Sequence, residues 1–405
     1  MGNGIKILET KNASAMPTVI KSLTVIGLVT TANIATLSTE IKAALAKNQN
    51  VLRFNGANEA LKAFENVKGT AREDIRDIQM QNVKSPIIVS LVEIETSHYD
   101  STPQEFYGDA DVKVAVINAV QNLQLARSLY GHASKVRVAI APYFSHDTDV
   151  AGALEIFAVG TKTIAIRDLN LSSVNETLPL LEDLGSKRQL VFPFYRMAYS
   201  IYDKATVAKP NSAIVAGHIA YWDAKYGEFG FAFDHANRPI YDVNGVSVPL
   251  TYEEGEESCS TNVIVNAGGA VLLNDDGWQL YNFESPSDDA RFNKLETMRF
   301  FDGMNENIQK TLTRHKHRPA KEVFYFAKAD TEVFIGKAVK SGSAIGGKVW
   351  WDDRNTPNEV ANGVIYMSYD AGNNVGIRSV VVQPYATDDY YADLIAENQI
   401  EEIKG

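Results

Sequence analysis

From about Val114 to Ile240, short β-rich runs alternate with stretches of helical period, and few folds can satisfy that rhythm. "KVRVAIAP", "TKTIAI" and "RQLVFPFY" are the strand-like runs, each separated from the next by a helical segment. "VINAVQNLQLARSLYG" reads as a helix closed by Gly131. Parallel neighbours in a sheet need a long crossover, usually a helix, and the helices then cover both faces. The βαβα order therefore predicts an α/β domain with a mostly parallel sheet. Upstream, "SLTVIGLVTTA" (Ser22–Ala32) and "SPIIVSLVEIE" (Ser85–Glu95) are near-continuous apolar runs, as strands buried on both faces are. Between them "EALKAFENV" has helical spacing at Leu61, Phe64 and Val67.

After Ile240 the chain turns loop-rich, with a turn expected at Asn244-Gly245. A long helix is expected from about Asp288 to Arg314, capped by Ser287, with Phe292, Leu295, Met298, Phe301, Met304, Ile308 and Leu312 on its apolar face. Gly303 lies inside it, at a cost of roughly 1 kcal/mol relative to Ala. Beyond Gly346 "KVWWDD", "GVIYMSYD" and "GIRSVVVQ" read as strands, and an acidic helix capped by Thr387 runs from Asp388 to about Ile403. Near the other end "GIKILE" carries a short strand pattern with Ile5 and Ile7 on one face. In "GIRSVVVQ", Ile377, Ser379 and Val381 share one face and Arg378, Val380 and Val382 the other. A terminal strand this apolar needs a partner, because an unpaired apolar edge is a template for other chains.

At 405 residues the chain is long enough for two or three domains. The expected layout is an N-terminal arm (1–21), a mixed core domain built from 22–97 and 256–362, a central α/β domain (98–255), and C-terminal strands and helix (363–405). The net charge of −11, without any run of Lys and Arg, argues against a nucleic-acid partner. Cys259 is the only cysteine, which excludes an intrachain disulfide and suits a reducing compartment. No signal peptide is expected at the start and no apolar stretch approaches membrane-spanning length, so a soluble protein made in the cytoplasm is expected.

Candidate chemistry is sparse. "GSAIGGKV" (Gly342–Val349) comes within one residue of a phosphate-binding loop, but Val349 replaces the hydroxyl that holds Mg²⁺ and the run continues as strand instead of opening a helix. A flexible turn is the simpler reading. His315 and His317 invite a metal, yet they sit at the basic end of a helix with no third ligand near, which favours a solvated cap. His132, His146, His218 and His235 are scattered singly. Asp275-Asp276 and Asp352-Asp353 suit turns better than acid–base pairs. No G-x-S-x-G elbow occurs, and Cys259 lies in a Ser-rich acidic loop. No catalytic residue, cofactor or metal is expected. An enzyme or ligand-binding protein using the strand ends of the central α/β domain is the alternative reading.

Four blocks, in order, resemble the contractile tail sheath family of myophages, especially the P2-like and R-type tailocin kind. The first is "GIKILE…SLTVIGLVTTA". The second is "KPNSAIVAGHIAYWDAKYGEFGFAFDHANRPI", with Pro210, Ser212, Ala216, Gly217, Ala220, Asp223, Gly227, Asn237 and Ile240 matching the family pattern. Ala216, Gly217 and Ala220 also put small residues where another backbone can approach closely. The third is "TNVIVNAGGAVLLNDDGWQLYNFES", and the fourth "WWDDRNTPNEVANGVIYMSYD". "AGNNVG" follows where the family often has a proline-flanked segment, and about His98 to Tyr130 matches nothing in the pattern.

The resemblance implies a self-assembling structural subunit, stacked in rings around an inner tail tube and connected to baseplate and tail terminator proteins. It implies no direct nucleic-acid contact, no membrane insertion, and a place in a virion tail or tailocin particle assembled in the bacterial cytoplasm. It also implies that terminal arms of neighbouring copies donate strands to a shared sheet. Ile5, Ile7, Ile377, Val380 and Val382 are the residues expected in those intersubunit strands.

Overall fold

In the computed structural model, which describes residues 24–94, 110–378 and 380–404, the sheet expected from the βαβα order is present and wider than that segment alone implied. Strands β1 (Ile26–Ala32), β2 (Val51–Phe54), β3 (Ile87–Glu93), β4 (Val138–Ile140), β5 (Ile164–Asp168) and β6 (Gln189–Phe192) form one sheet in the order β2-β3-β1-β4-β5-β6. Every neighbouring pair is parallel except β2 and β3. Strands assigned from sequence to two separate spans, 22–97 and 98–255, thus hydrogen-bond directly, with Ile26 and Leu28 of β1 opposite Val138 and Ile140 of β4. The α/β class is as expected.

Side chains alternate across a strand, so β1 and β3 load both faces of the sheet. Ile26, Leu28, Ile87 and Val89 enter one core with Ile75 and Ile78 of the helix Ala71–Gln79 and Ile214 of the helix Ser212–Tyr226. Val25, Val29, Ile88 and Val92 enter the other with Val116 of the helix Ala110–Asn122 and Leu154 of the helix Thr148–Thr161. Burial on both faces is why these runs read as almost unbroken apolar sequence. Gly217 explains the small-residue stripe. A Cβ there would stand 2.8 Å from the carbonyl oxygen of Ile78, so only glycine lets the two helices lie this close.

Two small antiparallel sheets follow. One joins β7 (Arg196–Tyr199), β8 (Thr206–Lys209) and β10 (Gly245–Val246), and the other β9 (Arg238–Pro239), β11 (Val271–Asn274) and β12 (Trp278–Tyr281). Asn244-Gly245 does not turn a hairpin: Asn244 donates its N–H to the Met197 carbonyl at 2.8 Å and Gly245 pairs with Met197, extending the first small sheet.

The expected long helix begins at Leu295, not Asp288, and ends at Thr313. The Asp289 carboxylate accepts the N–H groups of Arg291 and Phe292, both at 3.2 Å, a local turn that competes with helix over these residues. Gly303 has a packing reason, because a Cβ there would collide with the ring of Phe231. A second helix, Ala320–Lys340, packs beside it; the sequence reading did not place one there. Against this pair lies an antiparallel hairpin of β13 (Ala344–Trp351) and β14 (Met367–Asn373). "GSAIGGKV" is therefore neither a phosphate loop nor a flexible turn, since six of its eight residues open β13.

The chain divides into two compact units, one ending at Val375 and the other beginning at Gly376. In the second, residues 376–378 and 380–388 form no strand. The expected acidic helix is present at Asp389–Lys404, with Thr387 Oγ1 accepting the N–H of Asp389 at 3.2 Å.

Candidate intersubunit surface

Two features offer backbone or apolar surface that the described residues leave uncovered. The first is the hairpin. Val349 and Ala371 on one face pack with Phe334, Ile335 and Ala338 of the helix beneath. On the opposite face Ile345 is 73% exposed and Trp350 43%. Gly347 makes the seating close, because a Cβ there would stand 2.7 Å from the Asp370 carbonyl and 2.8 Å from Ile335 Cγ2. No third strand joins the hairpin among the described residues, so each strand keeps one open edge. An isolated two-stranded ribbon is marginal, and open edges are where other strands add.

The loop joining the two strands is held by the fourth sequence block. The Asn355 amide donates to the carbonyl of Tyr366 at 2.7 Å and accepts its N–H at 2.8 Å, closing the loop as a ladder pair would. Thr356 caps the short helix Pro357–Ala361 by accepting the N–H of Glu359.

The second feature is the segment from Gly376. Ile377, Val380 and Val382 are 79%, 78% and 78% exposed, and Val381 is 91% exposed. The three sequence-expected residues thus stand together in one uncovered apolar segment, although the expected strand does not form within one copy. Strands exist by pairing, and this one has no ladder partner among the described residues. Ile5 and Ile7 lie outside the described residues. In the helix that follows, Tyr390, Tyr391, Leu394 and Ile395 are also exposed.

Charged groups that could suggest chemistry are instead buried in structural clusters. Asp223, wholly buried, is bonded to His235 Nε2 at 2.6 Å, to the Arg299 guanidinium and to the Thr24 hydroxyl. Burial alone would raise its pKa, but Arg299 and His235 overcome this and hold the carboxyl well below the usual range. Lys209 and Arg196, both fully buried, converge on Asp77 at 2.6 Å each, and Lys209 also reaches Glu73 at 3.0 Å. This cluster ties the first small sheet to the helix Ala71–Gln79. Glu306 does the same between the long helix and the segment entering β4, through Lys135 and Arg137. His315, expected as a solvated cap, is buried and bonded to Asp330 at 2.6 Å, while His317 is exposed.

The strand ends favoured by the alternative reading are occupied by the protein itself. Asp168, closing β5, accepts the N–H groups of Asn211 and Ser212 at 2.8 and 3.2 Å, and Tyr143 and Phe144 are buried after β4. Among the described residues no three His, Cys, Asp or Glu side chains gather to hold a metal.

No family model matches the chain. In sequence it is 30% identical over 239 residues to a putative prophage major tail sheath protein of Pseudomonas aeruginosa (strain UCBPP-PA14), a match covering 57% of this chain and 59% of that protein. In fold it is similar, over 96% of its length, to a chain of the anti-feeding prophage baseplate, with TM-score 0.64 and 14% identity, all of that chain being covered. A chain of the PVC extracellular contractile injection system sheath complex, contracted state, aligns with TM-score 0.67 and 12% identity over 96% of this chain and 99% of that one. The contracted helical sheath of the anti-feeding prophage gives TM-score 0.65 and 15% identity, covering 95% and 99% of the two chains. The chain thus matches about three-fifths of that prophage protein's length in sequence, and over nearly its whole length it shares the fold of the sheath-complex chains.

Proposed function

We propose that the chain is a structural subunit of a contractile tail sheath. Copies stack as rings in helical register around an inner tube, meet a baseplate at one end and a terminator at the other, and shorten to drive the tube through a target envelope. The particle is a phage tail or tailocin assembled in a bacterial cytoplasm. The work needs no nucleotide, metal or catalytic group: the lattice is assembled metastable, and contraction releases energy by forming better interfaces. No described helix is long and apolar enough to cross a membrane.

The observation that carries this reading is the presence together of exposed apolar residues, Ile377, Val380, Val381 and Val382, and of a hairpin that keeps two open edges among the described residues. Strand addition would cover both at once, main-chain hydrogen bonds giving the affinity. In this arrangement Ile377, Val380 and Val382 come from one neighbour and Ile5 and Ile7 from another, so two donated arms meet two edges. Pro384, lacking an N–H, ends the donated ladder. The donated arm begins at Gly376, after β14.

Removal of residues 1–20 tests the arm model. The truncated protein is expected to stay folded by circular dichroism and to form no tubes or rings in negative-stain images, while the full chain forms them. Normal tubes from the truncated protein would refute the N-terminal arm, and uniform monomers of the full chain would favour the enzyme reading.

A further inference from the structure

At one end of the hairpin lies a groove of about 600 Å³. Val323, Ala327, Trp351 and Met367 give it an apolar floor, and the turn from His315 to Arg318 forms its rim. Of the residues lining the groove Lys316 and Arg318 are cationic and none is a carboxylate. Asp330 is engaged by Arg314 and His315, both at 2.6 Å, and Glu322 lies 3.4 Å from Arg318. The rim keeps a cationic excess.

We propose that this groove receives the C-terminal helix, Asp389–Lys404, of a second copy. The inference rests on the sheath reading and specifies a contact beyond strand addition. Three observations converge on it.

The first is charge. Asp389 and Asp393 lie four residues apart, which in a helix puts them on one side as a short acidic stripe. Like charges four apart destabilise an isolated helix, so the stripe favours a cationic surface opposite. The second is apolar surface. Tyr390, Tyr391, Leu394 and Ile395 form a band beside that stripe and are 76%, 65%, 55% and 58% exposed. An acidic stripe flanked by an apolar band matches a basic rim above an apolar floor.

The third is direction. Trp351 ends β13 and Met367 begins β14, and both line the groove. A donated strand running antiparallel to β14, or parallel to β13, therefore finishes beside the groove. Between Val382 and Asp389 the chain has six residues, Gln383 to Asp388, with a reach of at most about 20 Å. In either of those orientations a helix following the donated strand on so short a tether stays at the end of the hairpin where the groove opens.

The test uses full-length chains in two differently tagged populations, one carrying Leu394→Cys and the other Val360→Cys, on opposite sides of the proposed contact. Mixed, assembled and oxidised, they are expected to cross-link between copies. A cross-link confined to a single chain bearing both substitutions assigns the helix to its own groove and overturns the proposal. Independently, Lys316→Glu with Arg318→Glu is expected to raise the protein concentration needed for tubes at least ~10-fold, about 1.4 kcal/mol per contact set. Copies carrying Asp389→Lys and Asp393→Lys, mixed with that variant, are expected to restore assembly. Tubes from the unaltered chain decide the sheath reading by themselves. Tubes without the cross-link and without the charge effect overturn the helix-in-groove contact alone.

Discussion

At position 296 the chain puts a carboxyl where water does not reach. Burial, with the charge of Asp234 nearby, pushes the Glu296 pKa up to about 8. The unfolded chain, with an ordinary carboxyl, releases this proton near pH 4.5. Between those values the folded state binds the extra proton, so this contribution to stability is complete below about pH 4.5 and declines as pH rises toward 8. His218 works in the opposite sense. Burial pushes its pKa down to about 3 from 6.5, so its contribution is present above pH 6.5 and lost as pH falls. Glu296→Gln is expected to flatten the decline between pH 5 and 8, by up to about 1.4 kcal/mol per pH unit. Denaturant unfolding of both proteins across that range checks it, and parallel curves would remove Glu296 as the cause. Neither shift could be read from sequence, because Glu296 and Asp234 are 62 positions apart and meet only in the fold.

Among the elements, the hairpin depends most visibly on one residue. Gly347→Val would drive two methyl groups toward the Asp370 carbonyl and Ile335, lifting β13 from its helix. Overpacking of this kind typically costs about 1–3 kcal/mol. A lowered melting temperature with weakened assembly is expected, whereas unchanged melting would mean the hairpin floats free of the helix. The same glycine made "GSAIGGKV" look like a phosphate loop, because sequence shows that a close approach is allowed but not what approaches. The central strands were legible since burial on both faces leaves an apolar run that needs no partner information. The helix Ala320–Lys340 was missed although Pro319 precedes it and Ala327, Thr331, Phe334, Ile335 and Ala338 recur at helical spacing. Its first turns, Val323 to Phe326, are β-branched and aromatic, residues that favour strands. Ser287 drew the long helix too early because a good cap also serves a turn. "GIRSVVVQ" has the alternation of a strand, but among the described residues no strand forms there, because alternation in sequence does not by itself supply a ladder partner.

For the whole molecule, the separation between a finished body and an unfinished tail gives the last prediction. Among the described residues the four apolar core clusters draw their members from before Val375. The segment from Gly376 contributes none of them and exposes Val380, Val381, Val382 and Tyr385 by three-quarters or more. Removing residues 376–405 should therefore leave the melting temperature within about 4 °C, the shift expected from roughly 1 kcal/mol or less. The same deletion removes a contiguous apolar surface of the kind that marks an interaction site, so solubility should rise. Assembly should be lost, because the proposed donated strand and the helix that follows it go together. Point changes separate the two contributions: Val380→Pro should stop the ladder while leaving the terminal helix available for its cross-link, and the charge reversals at Lys316 and Arg318 should do the converse. A large fall in melting temperature on deletion would mean the tail is part of the folded body. Tubes of ordinary length from the deleted protein would mean that subunits are held together elsewhere on their surface.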